Sequence, residues 1–524
     1  MVAVVGELPL PGDGALSEPR LDALGGVARW GPVAAPAVVL AAAAALRFWG
    51  LGSLGFNSDE AVYAGQAAAL AGNPVYVEDF PVFRAHPMLV QSMLSPFFAA
   101  GEHDLAGRVV IAVVGIATVA LVYVLGSTMY SSRATGLLSA ALVAVMPYHV
   151  VVSRQVLLDG PMVFFSTLTL LCVARFAHTE QRAWLVAAGG AMGLTLLAKE
   201  SSVVLLGGIY AFLALTPRIR GQLLAVALAL PVMVALFLVH PVSMAMSGRS
   251  STGKSYLVWQ LLRRPNHGFG FYFETVPSAL GPLLVAAAVA AVALQLTDRS
   301  WRELLLVCWI AAPVVAFTLW PVKGFQYLLP VAPAVALLAA RGLLGIVRLP
   351  ELTPRLPLRH LRVAAVVVVL ISLVLASVSR VTAGSGTTFL AGSGGVPGGR
   401  EAGRWMARHT PAGAQVLTLG PSMANIITFY GHRKTFGLSV SPNPLHRNPA
   451  YLPVLNPDLE LRNGVLQYVV WDSFSAGRSP HFSDKLRELV RRYHGRVAHR
   501  EYVTTRRDGR DVRVPVVIVY EVRP

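Results

Sequence analysis

Cysteine and charge are what this chain has least of. Its 524 residues include two cysteines, Cys172 and Cys308, and both fall inside apolar blocks. A disulfide framework or a cysteine-rich metal site therefore has no support. Charged residues make up only 14% of the chain and hydrophobic ones 55%. The apolar residues come in blocks of roughly twenty, about the length an α-helix needs to cross bilayer hydrocarbon. That excludes an ordinary soluble domain and describes a polytopic membrane protein. The formal net charge of +17 does not make nucleic acid a partner, because many arginines lie in short loops between apolar blocks, where they orient helices.

Each charge at a helix centre costs ~2.5 to 3.5 kcal/mol, so spans are cut wherever charges appear. The expected spans are 32–50, 106–127, 134–151, 161–177, 183–198, 202–216, 222–240, 279–296, 304–320, 325–341 and 362–380, about eleven in all. Residues 183–216 as one helix would be ~50 Å long at 1.5 Å per residue, against a hydrocarbon core of ~30 Å. Two short spans meeting at Lys199-Glu200 fit better, and Pro321, Lys323 and Gly324 part the ninth and tenth in the same way. One set of alternate loops holds Arg133, Arg182, Arg218, Arg220, Arg299, Arg302, Arg341, Arg348, Arg355, Arg359 and Arg362, whereas the short turns of the other hold Arg154, Lys199 and Lys323. The positive-inside rule then places the N-terminus in the cytoplasm and everything after about residue 381 outside.

Residues 1–31 are Gly/Pro-rich and read as a disordered cytoplasmic tail, and the block that follows lacks the basic flank and cleavage site of a removable signal. The transmembrane domain runs over 32–380 and carries an outer loop at 51–105 and another at 241–278. A Gly/Ser-rich linker at 381–399 leads to a small α/β domain at 400–524, with helix-like segments near Arg400–His409 and Ser483–Tyr493 and strand-like ones at Gln415–Leu419, Gln467–Trp471 and Val512–Val522.

In the first loop, Asn57 with Glu60 three residues later can form a capping box that opens a helix to about Leu70 and puts Asp59, Tyr63 and Gln66 on one face. His86-Pro87-Met88-Leu89 opens a second apolar helix along the membrane surface. Taken alone, Asp59-Glu60 is a helix start. That reading weakens because Arg154 with Asp159 follows the third span, Lys199-Glu200 joins the fifth and sixth, and Lys323-Gly324-Phe325-Gln326-Tyr327 joins the ninth and tenth. Two carboxylates and three cations converge on one membrane face. The ordinary role of such cations is interfacial snorkelling. The chemical one is displacement at a sugar carbon bearing a phosphate, in which a carboxylate takes the acceptor's proton and cations hold the departing phosphate.

Two other features need weighing. Gly248 to Ser255 satisfies G-x-x-x-x-G-K-S, but a true phosphate loop follows a strand in a cytosolic α/β domain, and this one follows a membrane span on the side without ATP. His267, in Asn266-His267-Gly268-Phe269-Gly270-Phe271-Tyr272-Phe273, reads as part of an interfacial aromatic belt, or as a cavity residue that with Glu78 or Asp79 would help hold a divalent metal ion, although no metal-ligand spacing is present.

The ordered set resembles a family. First span, Asp-Glu loop helix, His-Pro helix, Arg154 with Leu157 to Pro161, Leu197 to Glu200 and Phe325 to Pro330 together look like the GT-C superfamily, in particular its protein O-mannosyltransferase and lipid A aminoarabinose-transferase group. The resemblance covers about residues 32–380 in order. It implies an α-helical polytopic GT-C fold and a transferase that takes a sugar from a polyprenyl phosphate and inverts the anomeric centre. Asp59 would be the base and Asp159 a second essential carboxylate, with Glu60 beside them. Arg154, Lys199, Lys323, His86, Tyr63, Gln326, Tyr327 and His267 would line the cavity or the donor phosphate. His86-Pro87-Met88 departs from the His-Pro-Pro usual in the mannosyltransferase branch. The expected sugar is a hexose such as mannose, and the expected acceptor is a protein, lipid or cell-wall glycan at the outer face. The rival reading is a transporter or flippase, which would place its charges nearer the bilayer midplane.

Overall fold

Every apolar block forms a helix. In the computed structural model, which describes residues 33–81, 86–216, 222–295, 300–348, 358–383, 395–507 and 510–523, the blocks become Ala34–Phe48, Asp104–Tyr130, Arg133–Val145, Asp159–Thr179, Arg182–Ala198, Leu205–Leu215, Leu223–Met246, Pro282–Gln295, Trp301–Leu319, Ala332–Arg348 and Leu358–Val381. The expected tail, most of the expected linker, and Arg218, Arg220, Arg299 and Arg355 lie outside the described residues. Among the described residues, six helices are long and apolar enough to cross a membrane, or seven if Phe271–Leu280 and Pro282–Ala293, bent by 100°, form one span.

The break at Lys199 is real. Lys199 is extended (φ −160°, ψ 120°), and a 3-10 turn over Glu200–Val204 follows it before the helix resumes. A second 3-10 segment, Phe325–Val331, begins after Gly324 and feeds Ala332–Arg348. Both breaks free backbone groups that a continuous helix would bind, and both lie beside the titratable side chains described below.

The C-terminal sheet runs β2-β1-β3-β5-β4. Strands β1 (Gln415–Thr418), β2 (Lys434–Gly437) and β3 (Leu466–Asp472) are parallel, while β4 (Arg496–Arg507) and β5 (Arg510–Glu521) form an antiparallel hairpin attached to β3. Side chains alternate across it. Val416, Val470, Val517 and Val519 pack with Ala402, Met406, Ile426 and Ile427 in a core continuous with that of the membrane helices. Leu417, Val469, Leu486 and Leu489 form a second core on the opposite face.

The sheet domain is fastened to the first loop. Helix Pro421–Gly431 packs on Ser58–Leu70 through a cluster of Phe56, Tyr76, Phe80, Phe429 and Tyr430. Tyr430 Oη accepts from the Phe56 amide at 2.8 Å and donates to Asp104 Oδ2 at 3.0 Å. Arg400 also donates to Asp104, at 3.0 Å, and Arg404 pairs with Glu102.

Candidate active site

The capping box expected from sequence is present. Asn57 Oδ1 accepts from the amides of Asp59 and Glu60, each at 3.0 Å, and Glu60 Oε2 accepts from the Asn57 amide at 3.0 Å. This turn sends the two neighbouring carboxylates in different directions. Glu60 is fully buried: Oε1 accepts from Arg108 Nε at 2.8 Å and the Val156 amide at 2.9 Å, and Oε2 from Arg108 Nη2 at 2.7 Å as well as Asn57. With its oxygens committed to these donors, Glu60 locks the loop helix in place, a structural role where the sequence suggested a place beside the reacting carboxylates.

Asp59 is open to water, and its carboxylate has no hydrogen-bond or ion-pair partner among the described residues. It nevertheless stands in a recess crowded by protein, and burial pushes its carboxyl above the usual range. Lys199 and His86 pull the other way, and Asp159 and Glu60 add to the rise.

Five further segments meet the same recess. Asp159, at the start of its helix, takes both oxygens to Lys199 Nζ, at 2.8 and 2.9 Å, with both side chains almost wholly buried. The Lys199 ammonium also lies 5.2 Å from the centre of the Tyr327 ring, a cation–π distance. His86 Nδ1 is 2.9 and 3.0 Å from the Glu200 oxygens, and its Nε2 is 3.4 Å from Tyr256 Oη. Tyr63, one turn after Asp59, meets the His86 ring edge-on at 6.0 Å. Gln260 fixes Tyr256 by donating to its hydroxyl at 2.6 Å.

Asp59, Tyr63, His86, Asp159, Lys199 and Tyr327 are thus brought together. Others are not. Arg154 is fully buried and its Nη1 donates to the carbonyls of Leu46 and Arg47 at 2.8 and 2.9 Å, at the end of the first span, while its Nε and Nη2 have no hydrogen-bond partner among the described residues. Lys323 donates to the Trp320 carbonyl at 2.9 Å, with its backbone bracketed by Asn266. Gln326 is half-buried. His267 stacks face-on against Phe271 at 4.1 Å. Among the described residues, no group of three or more His, Cys, Asp or Glu is placed to hold a metal ion.

Sequence reasoning missed Glu200 as the partner of His86, Tyr256 with Gln260, and Arg108. Tyr256 and Gln260 are one turn apart on a helix, directly after the segment with the phosphate-loop pattern. That pattern is no loop: helix Ser250–Leu262 runs through Gly253, Lys254 and Ser255, so it lacks the strand-to-helix setting of a phosphate cradle. An apolar cleft lies elsewhere, between side chains such as Leu185, Met192, Ile209 and Met233, and none of the recess residues lines it.

Residues 85–244 match the family of dolichyl-phosphate-mannose-protein mannosyltransferases. Comparison with curated proteins finds no match. The fold is similar to that of ArnT from Cupriavidus metallidurans, both in the apo state (TM-score 0.64) and bound to undecaprenyl phosphate (0.59), at 16% identity over 92% of this chain and 97% of that one. It is also similar to the Archaeoglobus fulgidus oligosaccharyltransferase tethered to an acceptor peptide, with TM-score 0.56 at 14% identity over 92% of this chain and 74% of that one.

Proposed function

The chain has the GT-C glycosyltransferase fold with a mannosyltransferase-type segment inside it, and from that premise we propose that it is an inverting transferase moving a sugar from a polyprenyl phosphate to an acceptor hydroxyl or amine at the outer membrane face. One observation carries the reading. Asp159 is committed to Lys199, Glu200 to His86 and Glu60 to Arg108, whereas the carboxylate of Asp59 has no such partner among the described residues. A general base needs an unspent lone pair, and a carboxyl held above its usual range is better matched to neutral pH.

The step balances simply. The acceptor passes its proton to Asp59 as its oxygen bonds the anomeric carbon, and the carbon–oxygen bond to phosphate breaks with its electron pair leaving on the polyprenyl phosphate. Phosphate is a good leaving group, so no acid is needed. In this reading Lys199, held by Asp159 with one N–H to spare, and His86, held by Glu200, offset the departing charge. Attack opposite the phosphate inverts the centre. We assign a hexose such as mannose as the sugar, which the matched family favours. The undecaprenyl phosphate on ArnT and the peptide on the oligosaccharyltransferase support a lipid-linked donor and a macromolecular acceptor, whether protein, lipid or glycan.

The test is consumption of labelled polyprenyl-phosphate hexoses by the purified protein in lipid, with cell-envelope extract as acceptor, beside Asp59→Asn. The variant is expected to fold and bind donor yet lose at least about a hundredfold in turnover. Wild-type turnover should fall on acidification, with an acidic limb above the ordinary aspartate range. Full turnover in Asp59→Asn removes Asp59 as the base. No consumption of any donor by wild type removes the transferase reading.

A further inference from the structure

The first turn of the helix carrying Asp59 is tied down from several directions. Asn57 donates to Gln155 at 3.0 Å, Glu60 is locked to Arg108, and the Phe56 amide donates to Tyr430 at 2.8 Å. The remaining tie is next to Asp59 itself: Asn425 Nδ2 donates to Ser58 Oγ at 2.9 Å and to Tyr451 Oη at 3.2 Å. Asn425 is itself buried, at 7% exposure, on the sheet-domain helix Pro421–Gly431. A buried amide is costly unless its hydrogens are satisfied, and both of its hydrogens go to these two hydroxyls. The amide of one domain is therefore committed to the residue that begins the other domain's base-bearing helix.

We infer that Asn425 is a positioning residue for Asp59, so that the C-terminal domain completes the catalytic geometry through Ser58 and does more than cover the recess. The inference rests on the transferase reading with Asp59 as base. Ser58 is the first helical residue, and its hydroxyl, held by Asn425, fixes the turn whose next side chain must meet the acceptor's proton. A shift of about 1 Å in a reacting group costs on the order of a hundredfold in rate. Removing the tie therefore acts on turnover and leaves the donor pocket of Lys199, Asp159 and His86 unaltered.

Asn425→Asp supplies a readout that plain packing would not move. The carboxylate is isosteric and can accept from the Ser58 hydroxyl, so the tie is kept with its polarity reversed, while a negative charge is added beside Asp59. The charged groups already acting on Asp59 are Lys199 and His86, which favour its ionised form, and Asp159 and Glu60, which oppose it. A further carboxylate joins the second group, and the acidic limb of the pH–rate profile moves upward by about half a pH unit or more.

The experiment uses the full-length protein in lipid with labelled polyprenyl-phosphate hexose. Asn425→Ala and Ser58→Ala are each expected to lower kcat about tenfold with donor KM unchanged, and the double variant to lose little more than either single one, because both remove the same tie. Asn425→Asp is expected to keep most of kcat at high pH with its acidic limb displaced. Unchanged kcat in both alanine variants, additive losses, or an unmoved limb in Asn425→Asp overturns the inference, while the transferase reading stands on wild type and Asp59→Asn in the same assay. A wild type that consumes no donor fails that reading and takes the inference with it.

Discussion

Asp59 and Glu60 are adjacent, so their side chains leave the helix about 100° apart, and that rotation separates the carboxylate proposed as the base from a structural one. Glu60 faces the bundle and meets Arg108, 48 residues away, with both side chains at zero exposure. The sequence carries the capping box and hence the direction of Asp59, because a cap depends on residues three apart. It carries nothing that pairs Glu60 with Arg108. That pairing is tertiary, and the arginine reads only as a charge near the head of a span. For the same reason Arg154 reads as a cavity cation until the carbonyls of Leu46 and Arg47 are seen to hold it. Removing one partner of a buried pair strands the other. Arg108→Ala is therefore expected to destabilise the protein by about 3–5 kcal/mol, seen as a large fall in thermal midpoint in lipid nanodiscs, and Arg108→Ala with Glu60→Gln should regain part of that loss. A single variant as stable as wild type would show that the pair does not hold the loop helix.

Helices in a bilayer gain little from hydrophobic contact with one another and pack closely where side chains are small. Helix Arg182–Ala198 meets Leu223–Met246 in this way. A Cβ added at Gly189 would collide with the carbonyl oxygen of Ala229, whereas one at Gly190 would meet only the end of Val232 at 3.8 Å. Neighbouring glycines should therefore respond oppositely. Gly189→Ala is expected to lower the thermal midpoint, as overpacking against a backbone costs about 1–3 kcal/mol. Gly190→Ala should be neutral or stabilising, by up to about 1 kcal/mol of helix propensity. Equal effects from both would show that the helices do not touch at Gly189. At this scale the sequence was informative about spans, because length and the cost of charge decide them, and the breaks at Lys199 and Gly324 followed from the same reasoning. It was less informative about the sheet. Strands β1, β3 and β5 show as apolar runs, but β2 has only four residues and β4 is an edge strand rich in arginine, and charge on an edge deters pairing with other chains while hiding the strand from a hydrophobic scan. Helix Pro421–Gly431, which carries Asn425, was missed because its apolar residues serve a domain contact and not a lone amphipathic face.

For the molecule as a whole, the proposed chemistry depends on which side of the membrane the recess faces. The loop helix with Asp59, the breaks at Lys199 and Gly324 and the sheet domain are joined by contacts and lie at one end of the helices. Whatever side the sheet domain occupies, the recess shares it. The excess of arginine in the opposite set of loops predicts that this side lies outside the cytoplasm. The two native cysteines are buried, which makes a single introduced thiol readable. Arg408→Cys places one at an exposed position on helix Gly399–His409. In intact cells a membrane-impermeant maleimide is expected to label this variant and leave wild type unlabelled. Labelling only after the cells are opened would put the sheet domain, and Asp59 with it, in the cytoplasm. The acceptor would then have to be a cytoplasmic molecule, and the arginine-rich loops would face the wrong way for the rule that orients other membrane proteins. Labelling from outside fixes the domain, the base and the acceptor on one surface, where a lipid-linked sugar presented by the outer leaflet can meet all three.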